Sequence, residues 1–321
     1  MEKNDKQKHS PGFSSLADSL PTIKLPSRVQ KRLIDSSVAI QQDDPESLLF
    51  QHSVFCQTGL PYRDPGDDIL SWERSNGHVA LSVEAGKAYD PEAGKYQQQG
   101  LPFGPKPRLV LAHLNAEALR CGSPEIEVGS SLTQFARRIY RNDPNGYELK
   151  LLKNQLGRLS VSLVRMALVE GNTAIQVQTN VITKLDLWFP KTEGQRVLWP
   201  STVQLDADYF ASLQKHAVPL DERAVASLAH SAMALDIYAW LAQRLHRIPK
   251  GKPQLVPWAS LHQQFGWSYK RIRAFRAVFL HTLGQVQSQY PKARLSADDR
   301  GLTLSNSPPP IASRAVLITR L

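Results

Sequence analysis

The chain has 321 residues and a net charge of +10, from 39 Lys and Arg against 29 Asp and Glu. That length exceeds what one hydrophobic core usually organises, so two folded domains and a tail are expected. With no run of about 18 apolar residues a membrane span is excluded, and Cys56 and Cys121 alone are too few for a disulfide framework or a thiolate metal site.

Residues 1–45 read as a flexible basic arm. Pro11, Pro21 and Pro26 punctuate it, and a short amphipathic helix with Val29, Leu33 and Ile34 on one side is expected after Pro26. Lysine-rich Met1 to Ser10 lacks a following apolar core, which argues against a secretory signal. A reducing cytoplasm is the expected compartment.

Residues 46–205 are expected to form the first domain. Ile69 to Ser75 and His78 to Val83 flank Asn76-Gly77, a strong hairpin signal. Leu109, Ala112, Ala116 and Leu119 keep helical spacing over Arg108 to Arg120, and Ile126 to Val128 gives a short strand. Ser131 to Arg141 reads as a helix. Tyr147 to Val169 reads as a longer one burying Leu152, Leu156, Leu159 and Leu163. Strands are expected near Ala174 to Gln178, Ile182 to Trp188 and Arg196 to Trp199.

Residues 206–321 are expected to form the second domain. Asp221 caps a helix that runs to about Arg247, and Gln254 to Val256 is a brief strand. A short helix with Leu261 and Phe265 follows, ended by Gly266 in a left-handed conformation. Ser268 then caps a second helix running to about Ser288. Ile272, Phe275, Phe279, Leu283 and Val286 share its buried face, which leaves Lys270, Arg273 and Ala274 outward. Arg271 points sideways and Arg276 lies nearer the core. Ala293 to Leu295 and Leu302 to Leu304 read as strands around the turn 297–301. A helix-turn-helix followed by a hairpin is a winged helix.

Such a unit sets the start of its second helix on base edges in the major groove while other cations hold phosphates. From Asp221 to the C-terminus there are 14 basic and 5 acidic residues, a net +9 of the chain's +10. That localised excess suits a polyanionic partner, double-stranded DNA. Ser268, Tyr269, Lys270, Arg271 and Arg273 are the expected reading residues, with Arg294 and Arg300 on the wing. Arg137, Arg138, Arg141, Lys150, Lys153 and Arg158 either grip phosphate or cap and solvate their helices. The order helix, strand, helix, longer helix, hairpin occurs in both halves, which points to a diverged duplication. The fold class is therefore α+β, mainly helical: two tandem winged-helix domains with small β-hairpins and a disordered N-terminal arm.

Nothing in the pattern suggests an enzyme, a catalytic residue or a cofactor. The nine histidines show no His-apolar-His pair, and no Gly-rich phosphate loop or Gly-x-Ser-x-Gly elbow is present. Asp64, Asp67 and Asp68 form the densest carboxylate cluster, which a proline-flanked turn explains without a metal.

The run Leu101-Pro102-Phe103-Gly104-Pro105-Lys106-Pro107-Arg108 leading into a helix resembles the plasmid-encoded RepA replication proteins. So do Gly129-Ser130-Ser131-Leu132-Thr133-Gln134-Phe135 and Leu60-Pro61-Tyr62-Arg63-Asp64-Pro65. The resemblance implies an initiator that binds repeated origin sites, recruits host replication proteins such as a helicase or host initiator, and often represses its own promoter. It also implies two winged-helix domains, the first concerned with a homodimer and backbone contacts. The alternative is a winged-helix transcriptional repressor without initiation activity.

Overall fold

Ser27 begins the first described helix, α1 (Ser27–Gln42), which lies inside the segment expected as a flexible arm. Its Leu33 is buried, and the helix packs on two helices of the second half of the chain. The computed structural model describes residues 27–128, 132–140, 143–170, 172–184 and 202–311. The expected strand at 196–199 and the first two dozen residues of the arm lie outside them.

The architecture is mixed α/β. After α1 come β1 (Leu48–His52), α2 (Ser53–Gln57), β2 (Ser71–Asn76), β3 (Val79–Glu84), β4 (Lys87–Asp90) and β5 (Lys95–Gln98). Gly77, at φ +60°, makes the β2–β3 turn that Asn76-Gly77 announces. Then follow α3 (Pro105–Cys121), β6 (Glu125–Glu127), α4 (Leu132–Tyr140), α5 (Gly146–Val161), β7 (Leu163–Glu170), β8 (Thr173–Thr179), β9 (Ile182–Lys184) and β10 (Thr202–Leu205).

The helix expected over 147–169 stops at Val161. Its start is secured by a capping box of Asn145 and Glu148. Beyond Ser162, Val164 and Met166 are buried while Leu163, Arg165 and Ala167 are half-exposed, an alternation of period two. That stretch pairs with β3 on one side and β8 on the other, giving a sheet of order β2-β3-β7-β8. The partner strand decides: Leu163 keeps helical spacing from Leu159, but β3 presents an open ladder that only a strand can satisfy.

The second half runs α6 (Ala207–His216), β11 (Ala217–Asp221), α7 (Glu222–Leu228), α8 (Ala232–Arg244), β12 (Gln254–Pro257), α9 (Trp258–Phe265), α10 (Ile272–Gln289), β13 (Leu295–Ala297) and β14 (Gly301–Leu304). Asp221 caps α7 as expected, but the helix expected to reach Arg247 is two helices. Ser231 accepts the Ala234 N–H at 3.2 Å and opens a new one. From Ala232 to Gln243 every residue of α8 is buried, the mark of a central helix.

The core is continuous across residue 205. β1 pairs antiparallel with β11, from Leu48↔Asp221 to His52↔Ala217, and α2 packs on α8. One buried cluster extends from Leu33 to Leu304. The two halves share the order β-α-α-β-β yet pair differently. β12 joins the hairpin β13–β14 in the order β12-β14-β13, whereas β6 joins β10 and β9 and leaves β7–β8 to β3.

Candidate nucleic-acid interface

α10 is held by an aromatic core. Phe275 and Phe279 are fully buried, their ring centroids 5.3 Å apart, and Phe279 meets Phe265 at 5.6 Å and Trp258 at 6.0 Å. Leu283 and Val286 continue the same stripe. Ile272, expected on this stripe, is 45 % exposed. It occupies the first turn of α10, beyond the reach of the core that covers Phe275.

The link from α9 to α10, residues 266–271, differs from expectation in two details. Gly266 has φ −106°, so it is not a left-handed stop. A side chain there is excluded by space instead: a Cβ would lie 2.6 Å from His262 Cδ2 and 2.8 Å from Phe275 Cδ2. Ser268 is not the N-cap; Arg271 holds that position without a side-chain cap. The turn is tied by backbone and imidazole instead. Tyr269 N–H donates to the Gly266 carbonyl at 2.8 Å, and His262 Nε2 donates to the Tyr269 carbonyl at 2.7 Å.

Lys270, Arg271, Arg273 and Ala274 are exposed, as is Ser268. Among the described residues, no ion pair occupies Lys270, Arg271 or Arg273. Tyr269 is half-buried with its ring 6.0 Å from Phe275, and burial pushes its hydroxyl pKa up. Arg276 is committed: it lies 4.8 Å over the Trp258 ring and pairs with Asp299 at 3.1 Å.

On the β13–β14 hairpin, which begins two residues later than expected, Arg294 is exposed. Arg300 is also exposed but folds back on Asp298 at 3.1 Å. The backbone N–H of Arg300, then that of Gly301 and the Arg300 guanidinium, hold the Asp298 carboxyl below its usual range. Gly301 has no room for a Cβ, which would sit 2.1 Å from the Val256 carbonyl oxygen on β12.

The first-half candidates separate. Arg138 and Lys150 are exposed, and Arg137 is exposed beside Asp143 at 2.6 Å. Lys153 is half-buried, its pKa lowered by desolvation. Arg158 does not face outward as expected. Its side chain is 13 % exposed, donates to the Leu101 carbonyl at 3.2 Å, pairs with Asp64 at 3.4 Å and covers Phe103. Arg141 lies outside the described residues. Asp64, Asp67 and Asp68 do not converge on a metal position, and among the described residues no group of three or more such ligands could hold one.

A feature without a sequence signal is the clamp on the 266–271 turn. Trp267 packs edge-on against Trp72 at 4.7 Å and beside Tyr62 at 6.2 Å, and the Arg74 guanidinium lies 3.9 Å over Trp72. Gln264 Nε2 donates to the Gln57 carbonyl at 2.9 Å. The first half of the chain thus fixes the orientation of α10.

These features define a mixed α/β protein that presents the cationic start of one helix, with a hairpin beside it, on a rigid support. Residues 101–260 match the family described as plasmid encoded RepA protein, and the chain belongs to that family. Solved structures similar to the chain include a selenomethionine derivative of domains 2 and 3 of RctB. Its TM-score is 0.47 at 7 % identity, covering 76 % of this chain and 88 % of that one. RctB domains 2-3 (RctB-155-483) give a TM-score of 0.41 at 7 % identity, covering 83 % and 94 %. No curated protein matches the chain. No helix among the described residues is long and apolar enough to cross a membrane.

Proposed function

We propose that the chain is a plasmid replication initiator that binds repeated double-stranded DNA sites at its origin and recruits host replication proteins. The observation that carries this is the exposed row Lys270, Arg271 and Arg273 at the start of α10, which no ion pair occupies among the described residues. Membership of the RepA family supports it. In this reading β12, α9, α10 and the β13–β14 hairpin form a winged helix within a second unit at 206–321, and residues 46–205 form a first unit. Arg273 takes a guanine edge, Lys270 and Arg271 take phosphates, and exposed Ile272 suits a thymine methyl. Arg294 on the wing holds backbone. The chemistry is binding, with no catalytic step.

The test is a footprint of the full chain on DNA flanking its own gene, paired with a minimal plasmid carrying gene and repeats. Protection of repeats together with plasmid replication is expected. Protection without replication gives the repressor instead. No protection at low salt overturns the reading, and nicks or primers formed with Mg²⁺ and nucleotides overturn its non-enzymatic part.

A further inference from the structure

We infer that Arg63, on the loop between α2 and β2, is a backbone-phosphate contact that extends the cationic surface at the start of α10. This rests on the reading of α10 as the DNA-facing helix.

The loop is fixed where it meets the 266–271 turn. Arg108 donates to the Leu60 carbonyl at 2.7 Å and to the Pro61 carbonyl at 3.3 Å, and Gly104 N–H donates to Pro61 at 2.9 Å. Tyr62 lies over the Arg108 guanidinium at 5.3 Å and against Trp267 at 6.2 Å. The next residue, Arg63, therefore leaves a rigid anchor beside the turn. It is exposed, and no ion pair occupies it among the described residues. Its charge reaches Tyr269, where it opposes the upward push of burial on the hydroxyl. The packing of Tyr62 on Trp267 sets exposed Arg63 beside the turn that ends in exposed Lys270 and Arg271, so Arg63 continues the cationic row onto a second element.

The neighbouring carboxylates set the limit of this surface. Asp64 is taken by Arg158 and by the Gly66 N–H at 3.2 Å. Asp67 and Asp68 are exposed beyond it and repel a phosphate there, which places the polyanion on the Tyr269 side of the loop. A cation outside a groove-reading helix meets the sugar-phosphate strand that flanks the groove, and so adds affinity without sequence information.

The test uses the full chain and a duplex from the footprinted region, titrated over a range of salt, with thermal melting in parallel. Arg63→Ala is expected to reduce the slope of log K against log salt by about one and to weaken specific and non-specific duplexes alike. Arg63→Lys should restore the slope, and neither variant should move Tm. Arg273→Ala should instead erode the preference between duplexes. A wild-type slope for Arg63→Ala beside a weakened Arg273→Ala overturns the Arg63 contact and leaves the α10 reading standing. Wild-type binding by both overturns the two together. A slope change tied to a lowered Tm and not restored by lysine makes Arg63 a structural residue and overturns the inference.

Discussion

Arg108 and Asp236 join α3 to α8 through a buried ion pair, with side chains 6 % and 11 % exposed. The guanidinium Nε donates to Asp236 Oδ1 at 2.6 Å and a terminal nitrogen to Oδ2 at 2.8 Å. The remaining donors reach the carbonyls of Leu60, Pro61 and Gly104. Gly59, at φ +77°, lets the chain pass so close that a Cβ would lie 2.5 Å from Asp236 Oδ2. Arg108→Met removes the cation, leaves the Asp236 carboxylate without its counter-charge and takes a donor from the Leu60 and Gly104 carbonyls, while Pro61 keeps the Gly104 N–H at 2.9 Å. Breaking one side of a buried pair costs about 3–5 kcal/mol, and the carbonyls that lose a donor put this case at the upper end.

The double variant Arg108→Met with Asp236→Leu removes the stranded charge as well, so it is expected to cost less than Arg108→Met alone. The coupling should be roughly 2–3 kcal/mol, within the range for residues that share a network. Urea unfolding followed by tryptophan fluorescence measures all three variants. A cost below about 1 kcal/mol for Arg108→Met, or strict additivity in the double variant, would refute the claim that this pair locks the loop bearing Arg63 to the second half.

Gly266→Ala is open to the backbone at φ −106° but places a Cβ against His262 and Phe275. Overpacking of this kind costs about 1–3 kcal/mol, and both urea stability and DNA affinity should fall; an unchanged Tm would sink the steric account. Arg158→Gln should cost about 1–3 kcal/mol through its lost contacts to Asp64 and Leu101, while the salt slope of DNA binding stays at wild type. A lower slope would return Arg158 to the phosphate-gripping set.

His52 adds a pH dependence. Its Nδ1 accepts the Val54 N–H at 3.2 Å while Nε2 meets Ser212 at 3.0 Å; burial first, then the nearby His216, depress its pKa to about 3. The unfolded chain takes up this proton near pH 6.5 and the folded chain does not, so stability is full above 6.5 and falls as pH drops toward 3. The loss is up to about 1.4 kcal/mol per pH unit. His52→Gln should flatten the 6.5-to-3 portion of a stability profile, and a profile identical to wild type would refute the assignment.

Much of the local structure was legible because it is written in short-range chemistry. Asn76-Gly77 specified a hairpin, Asp221 a cap, and the three-and-four spacing of Phe275, Phe279, Leu283 and Val286 a buried face. The cationic start of α10 was legible for the same reason, since the spacing that buries Phe275 turns Arg273 outward. What neighbours in sequence could not decide was whatever depended on a distant partner. Leu163 to Glu170 became a strand because β3 offered a ladder, and Arg158 turned inward because Asp64 and Leu101 lay beneath it. The contacts of Trp267 with Trp72 and Tyr62, which set the loop bearing Arg63 against the 266–271 turn, exist only once the two halves pack. The physical reason is that helical and turn preferences act over a few residues. Strand pairing, buried charge and aromatic packing draw their energy from groups far apart along the chain.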